Sequence, residues 1–202
     1  NNRGVVVGTS EGVPLAPPHA FRWSAAYGIE DLGAFTKGIA SFSSAMALND
    51  AGMAAGFSSY DSGDRHSFVW TRGTGLADID TLGSIDSIPV DVGARGQVAG
   101  NVFVSPISDY RAFFWTPATG MRDLGAAGGI SSGVTAMSAS AHVAGVINLA
   151  SGFQRAMSWT KAGGMVNLGT LGGPRSNALA VNNNGQVVGF ADARDGSSRA
   201  YV

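Results

Sequence analysis

The sequence has no cysteine, few charged residues and no long apolar run, and each absence excludes a class of protein. Without cysteine, the 202-residue chain can form no disulfide, thiol nucleophile or thiolate metal site. Charged residues make up 13%, with 13 Lys and Arg against 14 Asp and Glu, and no basic run that would favour nucleic acid or an anionic membrane. The longest apolar stretches, such as Val5-Val6-Val7, are too short for a membrane-spanning helix.

Glycine and apolar residues are abundant instead. The chain contains 30 glycines, and 45% of its residues are hydrophobic. Glycine permits the positive φ angles of tight turns, whereas a helical protein would need more residues that favour helix. This composition predicts a folded all-β protein with many short strands.

A short motif ending in tryptophan recurs along the whole chain. The steps between Trp23, Trp70, Trp115 and Trp159 are 47, 45 and 44 residues. A fifth copy, Arg199-Ala200-Tyr201-Val202, stops one residue before its tryptophan position. A period of this size indicates an array of supersecondary units that bury their apolar faces only against one another.

Each repeat contains four strand-like segments, named here by their motifs. The W-strand carries the tryptophan motif, as in Arg111–Trp115, and the DLG-strand ends eight residues later at Asp123-Leu124-Gly125. An alternating A-strand such as Ala45–Leu48 is joined by the turn Asn49–Gly52 to a V-strand that ends in glycine, as in Gly96–Gly100. Asn and Gly favour the left-handed conformation of hairpin turns. Four short strands in about 45 residues predict the blade of a β-propeller.

The repeats predict one all-β domain, a five-bladed β-propeller with an incomplete first blade. A β-solenoid usually needs fewer residues per coil, and a β-trefoil has only three repeats. The small side chains of the V-strand favour the innermost place in each blade. The domain covers residues 1–202, with a partial repeat at 1–23 and full repeats at about 24–70, 71–115, 116–159 and 160–202.

The predicted strands number 18, whereas five closed blades of four strands need 20. We expect both missing strands, a DLG-strand and an A-strand, to precede Asn1. The first blade would then have an unpaired strand edge, which favours self-association.

The motifs resemble the HAF-repeat family of bacterial extracellular proteins along essentially the whole chain. The family is named for the triplet that stands here as His19-Ala20-Phe21, and the most typical copy begins at Asn167-Leu168-Gly169-Thr170-Leu171-Gly172-Gly173. His becomes Arg in three copies, and one copy carries Asp78-Ile79-Asp80 in place of Asp-Leu-Gly. The resemblance implies an extracellular or cell-surface protein with no enzymatic activity in the repeat.

Two recurring features favour structural roles. Phe113 and Trp115 are two residues apart and share one face of a strand, so we expect such pairs to pack between blades rather than stack on sugars. A cation precedes each Ala-Phe motif and could pair with the aspartate of the DLG-strand. Because Arg keeps its proton, the alternation of His with Arg argues against acid–base catalysis. The recurring cations are His19, His66, Arg111, Arg155 and Arg199.

Nothing in the sequence predicts catalysis, a cofactor or a metal site. The G-x-S-x-G matches at Gly8–Gly12 and Gly129–Gly133 lack the strand-to-helix context of a nucleophile elbow. The loop aspartates lack the spacing of a calcium loop. His142 stands where other copies carry Gln, Met or Val, so we interpret it as a tolerated substitution.

The loops between V-strand and W-strand are the most divergent part of the repeat, and variable loops on a repeated scaffold often carry recognition. We expect a non-catalytic extracellular or surface-associated binding or structural module that contacts a protein or a surface polymer through these loops. The alternative is a carbohydrate-binding lectin with quasi-equivalent sites between blades, and an enzyme ranks last. The candidate contact residues are Tyr60, Asp61, Phe103, Asp109, Tyr110, Asp192 and Asp195.

Overall fold

A computed structural model describes residues 1–11, 17–36, 41–104 and 109–202, which form 18 β-strands. The number of strands predicted from the repeat is therefore confirmed. Within these ranges no helix is long and apolar enough to cross a membrane. The strands are β1 (Val6–Ser10), β2 (His19–Ser24), β3 (Gly28–Gly33), β4 (Ser43–Leu48), β5 (Ala54–Ser59), β6 (Arg65–Thr71), β7 (Gly75–Asp78), β8 (Ser87–Val92), β9 (Val98–Val104), β10 (Asp109–Thr116), β11 (Gly120–Asp123), β12 (Ser131–Met137), β13 (Val143–Asn148), β14 (Gln154–Thr160), β15 (Gly164–Asn167), β16 (Gly172–Val181), β17 (Val187–Ala193) and β18 (Ser198–Tyr201).

The strands form five antiparallel sheets that follow one another along the chain. Sheet 1 contains β1–β3, sheet 2 β4–β7, sheet 3 β8–β11, sheet 4 β12–β15 and sheet 5 β16–β18. In sheets 2 to 4 the order from one edge to the other is A-strand, V-strand, W-strand and DLG-strand. The A-strands of consecutive sheets contact each other, so they lie nearest the centre. This is a β-propeller, and the predicted fold class is confirmed.

The prediction that the V-strand is innermost is wrong. The V-strand is hydrogen-bonded on both sides, between the A-strand and the W-strand. The glycines that end the V-strands have a different cause, since a large W-strand side chain lies over each of them. This side chain is aromatic in sheets 1, 2, 3 and 5 and is Met157 in sheet 4. A Cβ added at Gly100 would lie 2.7 Å from the ring of Phe113, closer than van der Waals contact allows.

Sheet 1 is incomplete, as predicted, but the prediction that it lacks two strands is wrong. Sheet 1 has three strands and includes its DLG-strand β3, and sheet 5 has three strands and ends at its W-strand β18. The connections from A-strand to V-strand, from V-strand to W-strand and from W-strand to DLG-strand each stay within one sheet. The connection from DLG-strand to A-strand crosses to the next sheet. The predicted repeats, which run from tryptophan to tryptophan, therefore begin partway through one sheet and end in the next.

Apolar side chains fill the seams between consecutive sheets. Phe68, Phe113 and Met157 are fully buried, and Trp70 is 9% exposed. Core packing is thus confirmed for these residues. Trp159 is only half-buried, but its ring lies 4.6 Å from that of Phe114 across the seam between sheets 3 and 4.

The two end sheets each leave one apolar face uncovered. Within the described strands, sheets 1 and 5 do not pack together as consecutive sheets do. Val6 and Trp23 of sheet 1 are consequently 52% and 41% exposed, and Val188 and Phe190 of sheet 5 are exposed as well.

Candidate functional site

The recurring cations pair with the aspartates of the DLG-strands, as predicted, in the three sheets that have both partners. Oδ2 of each aspartate lies near the imidazole or guanidinium group, and Oδ1 accepts the backbone N–H two residues later, which closes a turn. The distance from the side-chain nitrogen to the Oδ2 atom of the aspartate is 3.1 Å for His19–Asp31, 2.8 Å for His66–Asp78 and 3.5 Å for Arg111–Asp123. The turn bonds run from Gly33, Asp80 and Gly125, each at 2.7 Å.

In sheets 4 and 5 the cation has no aspartate of a DLG-strand to pair with, yet sheet 4 keeps the hydrogen bond that closes the turn. Asn167 replaces the aspartate in sheet 4 and still accepts the turn bond from Gly169, at 2.9 Å. Arg155 donates instead to the carbonyl groups of Gln154 and Pro174. In sheet 5 Arg199 pairs with Asp195 at 2.6 Å. The hydrogen bond that closes the turn is present at every described DLG-strand, so the recurring aspartates and Asn167 have a structural role.

A recurring serine, which the sequence reasoning missed, joins each sheet to the next. The buried hydroxyl of Ser132, on the A-strand of sheet 4, accepts the N–H of Ala112 in sheet 3 at 3.0 Å. It donates to the carbonyl of Gly125, just after the last strand of sheet 3, at 2.5 Å. We call this arrangement the serine clamp. It recurs at Ser43, Ser87 and Ser176. The spacing of the four serines, at 44, 45 and 44 residues, is the signal that could have found them.

The aromatic residues proposed for partner contact are half-buried and bonded within the protein. The Tyr60 hydroxyl donates to Asp78 at 2.8 Å, and its ring stacks on Phe35 with centroids 5.1 Å apart. Burial and the neighbouring Asp78 carboxylate together raise the pKa of Tyr60 to about 12. On β10 the Tyr110 hydroxyl donates to Asp86 at 2.9 Å, and burial together with Asp86 raises the pKa of Tyr110 too.

Phe103 completes the second aromatic pair. Its ring stands edge-on to that of Tyr110, with centroids 5.5 Å apart. The carboxylate of Asp86 beside this pair also accepts from Arg65 at 2.5 Å. These contacts fix both rings in place.

The four candidate aspartates lie in separate places. Asp61 accepts from Thr36 at 2.9 Å, and Asp109 accepts the backbone N–H of its neighbour at 2.8 Å. Asp192 is buried in β17, not exposed in a loop, and lies 3.2 Å from Arg175, while Asp195 is exposed. The seven predicted contact residues therefore belong to sheets 2, 3 and 5 and form no single site. Segments 12–16 and 105–108 of the variable loops lie outside the described residues.

The two ends of the strands carry different surfaces. The loop side holds the V-to-W loops and the DLG-to-A connections, and the turn side holds the A-to-V and W-to-DLG turns. On the loop side, Leu82 and Ile85 are 44% and 60% exposed and border a groove of about 270 Å³ that Phe103 also lines. With two further exposed side chains they form what we call the aliphatic row: Leu82, Ile85, Ile130 and Leu171.

The turn side holds a cleft of about 520 Å³ lined by three arginines, which we call the arginine cleft. Arg22, Arg72 and Arg95 line it together with Met53 and Trp70. It opens between turns of sheets 2 and 3, next to β2 of sheet 1.

Two of these arginines are fixed by the same carboxylate. Arg22 and Arg72 lie 2.6 and 2.7 Å from Glu30. The Arg72 guanidinium lies 4.0 Å from the centre of the Tyr27 ring. Arg95 makes no ion pair with any residue in the described ranges.

The remaining candidates for chemistry are engaged elsewhere. Ser131, from the second G-x-S-x-G match, is buried on β12 and accepts from Asn148 at 2.7 Å. The imidazole of His142 lies 2.6 Å from the Ser158 hydroxyl, and burial lowers its pKa. In the described part of the chain, no three His, Asp or Glu side chains come together in a group that could hold a metal ion.

The comparisons with known proteins concern the fold. No family model matches the chain, and no curated protein matches it. Its structure is similar to that of TolB from Acinetobacter baumannii, with a TM-score of 0.60 and 11% identity over 98% of this chain and 51% of TolB. A gluconolactonase from Xanthomonas campestris gives a TM-score of 0.47 at 11% identity, over 91% of this chain and 68% of that one. The chain thus spans about half the length of the TolB structure, and the likeness to TolB shows a β-propeller.

Proposed function

We propose that the chain is a non-catalytic, extracellular or surface-associated propeller module that binds a protein or a surface polymer through its loop side. The observation that carries this proposal is the aliphatic row. Its four large apolar side chains are exposed in the connections from DLG-strand to A-strand, all on one side of the molecule.

The row is built by the repeat. Leu82 and Leu171 occupy the same position of the DLG-to-A connection, and Ile85 and Ile130 share another. Neighbouring sheets therefore present similar apolar groups in sequence along one surface. Apolar side chains that are exposed together and surrounded by polar loops are typical of interaction sites. Burial of each leucine or isoleucine against a partner would contribute about 1.5–3 kcal/mol.

The polar groups on this side support a binding role over a catalytic one. Both histidines that precede Ala-Phe or Ser-Phe pair with an aspartate, and the hydroxyl groups of Tyr60 and Tyr110 are bonded to carboxylates. Fixed side chains lose little conformational entropy when a partner binds. The resemblance to HAF repeats, from His19-Ala20-Phe21 to Asn167–Gly173, supports the proposed extracellular location.

The lectin alternative receives less support. Quasi-equivalent sugar sites between blades would need an accessible aromatic or apolar face at each seam. Phe68, Phe113 and Met157 are fully buried there, and Trp70 is nearly so. The large side chains of this motif therefore pack between sheets in the inner seams, where a sugar could not stack on them.

The proposal is tested by binding of the chain to an array of surface glycans and to a panel of extracellular proteins. We expect a Leu82→Asp/Ile85→Asp variant to lose the binding that the parent chain shows. Val166→Asp is the matched control, because Val166 is an equally exposed aliphatic residue on the outer strand β15. Binding that survives in the loop-side variant, or fails equally in the control, would place the contact elsewhere.

A further inference from the structure

The groove beside Leu82 and Ile85, which we call the loop-side groove, is lined mainly by apolar side chains. It lies between the end of β9 and the connection that leads from β7 into β8. Its volume of about 270 Å³ is below the range of about 300–1,000 Å³ that is typical of pockets for whole small molecules. The groove therefore suits one or two side chains of a partner. Its apolar lining residues are Leu82, Ile85, Val102, Phe103 and Val104.

The two hydroxyl groups of the lining already donate within the protein. Thr81 donates to the Ser84 carbonyl at 2.6 Å, and Ser84 donates to the Phe103 carbonyl. A sugar ring seated here would press hydroxyl groups that need hydrogen-bond partners against apolar side chains, which costs free energy. An aliphatic side chain needs no such partners. The lining therefore favours a protein segment over a surface polysaccharide.

Two aspartates beside the groove form what we call the acidic rim. Asp80 directly precedes the lining residue Thr81. Asp109 stands opposite the lining residue Val104 in the pairing of β9 with β10, and residues opposite each other share one face of a sheet. Oδ1 of each aspartate accepts the backbone N–H of the next residue. Neither aspartate makes an ion pair with a described residue, so both negative charges are available to a partner.

The arginines close to the groove are paired with other carboxylates. Arg65 donates its backbone N–H to Ile85 at 2.9 Å, and its guanidinium lies 2.5 Å from Asp86. The guanidinium of Arg111 lies 3.5 Å from Asp123 on β11, on the side of β10 that faces away from β9. These two cations leave the acidic rim without a counter-charge of its own.

One member of the acidic rim occupies a backbone position that is otherwise glycine. The residue two places after the aspartate or asparagine of the DLG-strand has a φ between 75° and 80° in sheets 1 to 4. It is Gly33, Gly125 and Gly169 in three of these sheets and Asp80 in sheet 2. Its backbone N–H closes the turn equally well with glycine, so the scaffold does not need this carboxylate. A side chain at positive φ costs conformational energy, and such strain is concentrated at binding sites.

We infer that the loop-side groove binds a segment of a partner protein in which a large aliphatic side chain is flanked by lysine or arginine. The aliphatic side chain fills the space between Leu82, Ile85 and Phe103, and the cations reach Asp80 and Asp109. An apolar centre with a charged rim is typical of protein interfaces, and the charge of the rim selects the partner. This inference rests on the proposed function and narrows its partner to a protein with a basic segment.

The first test is an NMR titration of the isotope-labelled 202-residue chain with the capped peptide Lys-Gly-Leu-Gly-Lys, at low and at physiological salt. In an extended peptide both lysines lie on the same side as the leucine. We expect shifts at the amides of Leu82, Ser84 and Phe103, and an affinity that falls with salt. Lys-Gly-Ser-Gly-Lys should bind about tenfold more weakly, because it has no apolar side chain to bury. Glu-Gly-Leu-Gly-Glu should not bind.

The second test removes the acidic rim. The Asp80→Gly/Asp109→Asn variant should bind Lys-Gly-Leu-Gly-Lys about fivefold more weakly, the usual effect of losing two exposed ion pairs. Glycine is the residue of the other sheets at the first position, and asparagine can still accept the N–H of Tyr110 at the second, so the melting temperature should not fall. Glu11→Gln is the matched control, since Glu11 is an exposed loop-side carboxylate that makes no ion pair with a described residue.

Four results would overturn the inference: equal binding of the serine or the glutamate peptide, parental affinity in the rim variant, equal weakening in Glu11→Gln, or no binding of Lys-Gly-Leu-Gly-Lys. The proposed function can fail or stand separately. A partner whose binding is lost in Leu82→Asp/Ile85→Asp but kept in Asp80→Gly/Asp109→Asn would overturn this inference alone. A partner whose binding survives in Leu82→Asp/Ile85→Asp would overturn the proposed function.

Discussion

The inner seams and the outward faces of the end sheets are built from the same motif but differ in burial. Val143 of sheet 4 is fully buried, whereas Val6, at the same position in sheet 1, is 52% exposed. Ala156 of sheet 4 is likewise buried, and its counterpart Ala200 in sheet 5 is exposed. Trp23 and Trp70 differ in the same way. The motif therefore does not bury its own residues, because an adjacent sheet has to cover them.

Pairing within the sheets is the same in both regions. Met157 pairs with Gly145 in sheet 4, and Tyr201 pairs with Gly189 in sheet 5. Among the described strands, no A-strand with a clamp serine covers the outward face of sheet 5. Stability in such an array is approximately a sum over units and the interfaces between neighbours, so each seam should contribute separately.

The largest expected effect is at an inner seam. Phe113→Ala removes a fully buried ring and should reduce the free energy of unfolding by about 3–5 kcal/mol. Trp23→Ala, on the outward face of sheet 1, should cost less than about 1 kcal/mol, since that ring is already exposed. Urea unfolding of both variants measures the difference. Equal losses would break the distinction between seam and outward face.

The serine clamp should give the next largest effect. Ser132→Ala leaves the Ala112 N–H and the Gly125 carbonyl without partners in a seam that excludes water, which should cost about 1–3 kcal/mol. Ser151→Ala, at an exposed turn, is the control and should be neutral. A neutral Ser132→Ala in the same urea experiment would show that the clamp does not stabilise the seam.

The cation–aspartate pairs should contribute less. Arg111 and Asp123 both retain solvent contact, so Arg111→Met should destabilise the protein by less than about 1 kcal/mol. Binding through the loop side should not change. A loss as large as that of Phe113→Ala in thermal unfolding would place these pairs among the main stabilising contacts.

The smallest effect concerns alkaline pH. The pKa of Tyr60 is raised from 10.0 to about 12 in the folded protein, so its contribution to stability is fully present below pH 10. That contribution is lost between pH 10 and about 12, where the unfolded state loses the proton first. Phenolate absorbance should follow this titration, and Tyr60→Phe should remove its highest step. A Tyr60→Phe titration identical to that of the parent chain would contradict the assignment.

The sequence predicted what depends on period and spacing. The 18 strands, the buried Phe68 and Phe113, and the pairing of His66 with Asp78 all follow from motifs repeated at fixed intervals. The order of strands within a blade was harder to predict, because the A-strand and the V-strand are both short and rich in small residues. Ser132 escaped notice because serine is frequent in this chain, although its spacing was regular.

The arginine cleft could not be found from spacing. Arg22 and Arg72 lie in different sheets and Arg95 in a third, and only the packing of the sheets brings them together. The aliphatic row was missed for a different reason. Leu171 belongs to the most regular copy of the motif, and apolar residues in a regular motif suggest burial rather than exposure.

Amide hydrogen exchange tests the comparison between seams and outward faces most directly. The N–H groups of Ala20, Ser67, Ala112 and Ala156 each donate to a clamp serine, while Ala200, at the same position, lies in the last sheet that the structure describes and faces no clamp serine of the described residues. We predict slow exchange at the first four amides and exchange orders of magnitude faster at Ala200. Protection of Ala200 equal to that of Ala112 would contradict the account, because burial and bonding would then not depend on the next sheet.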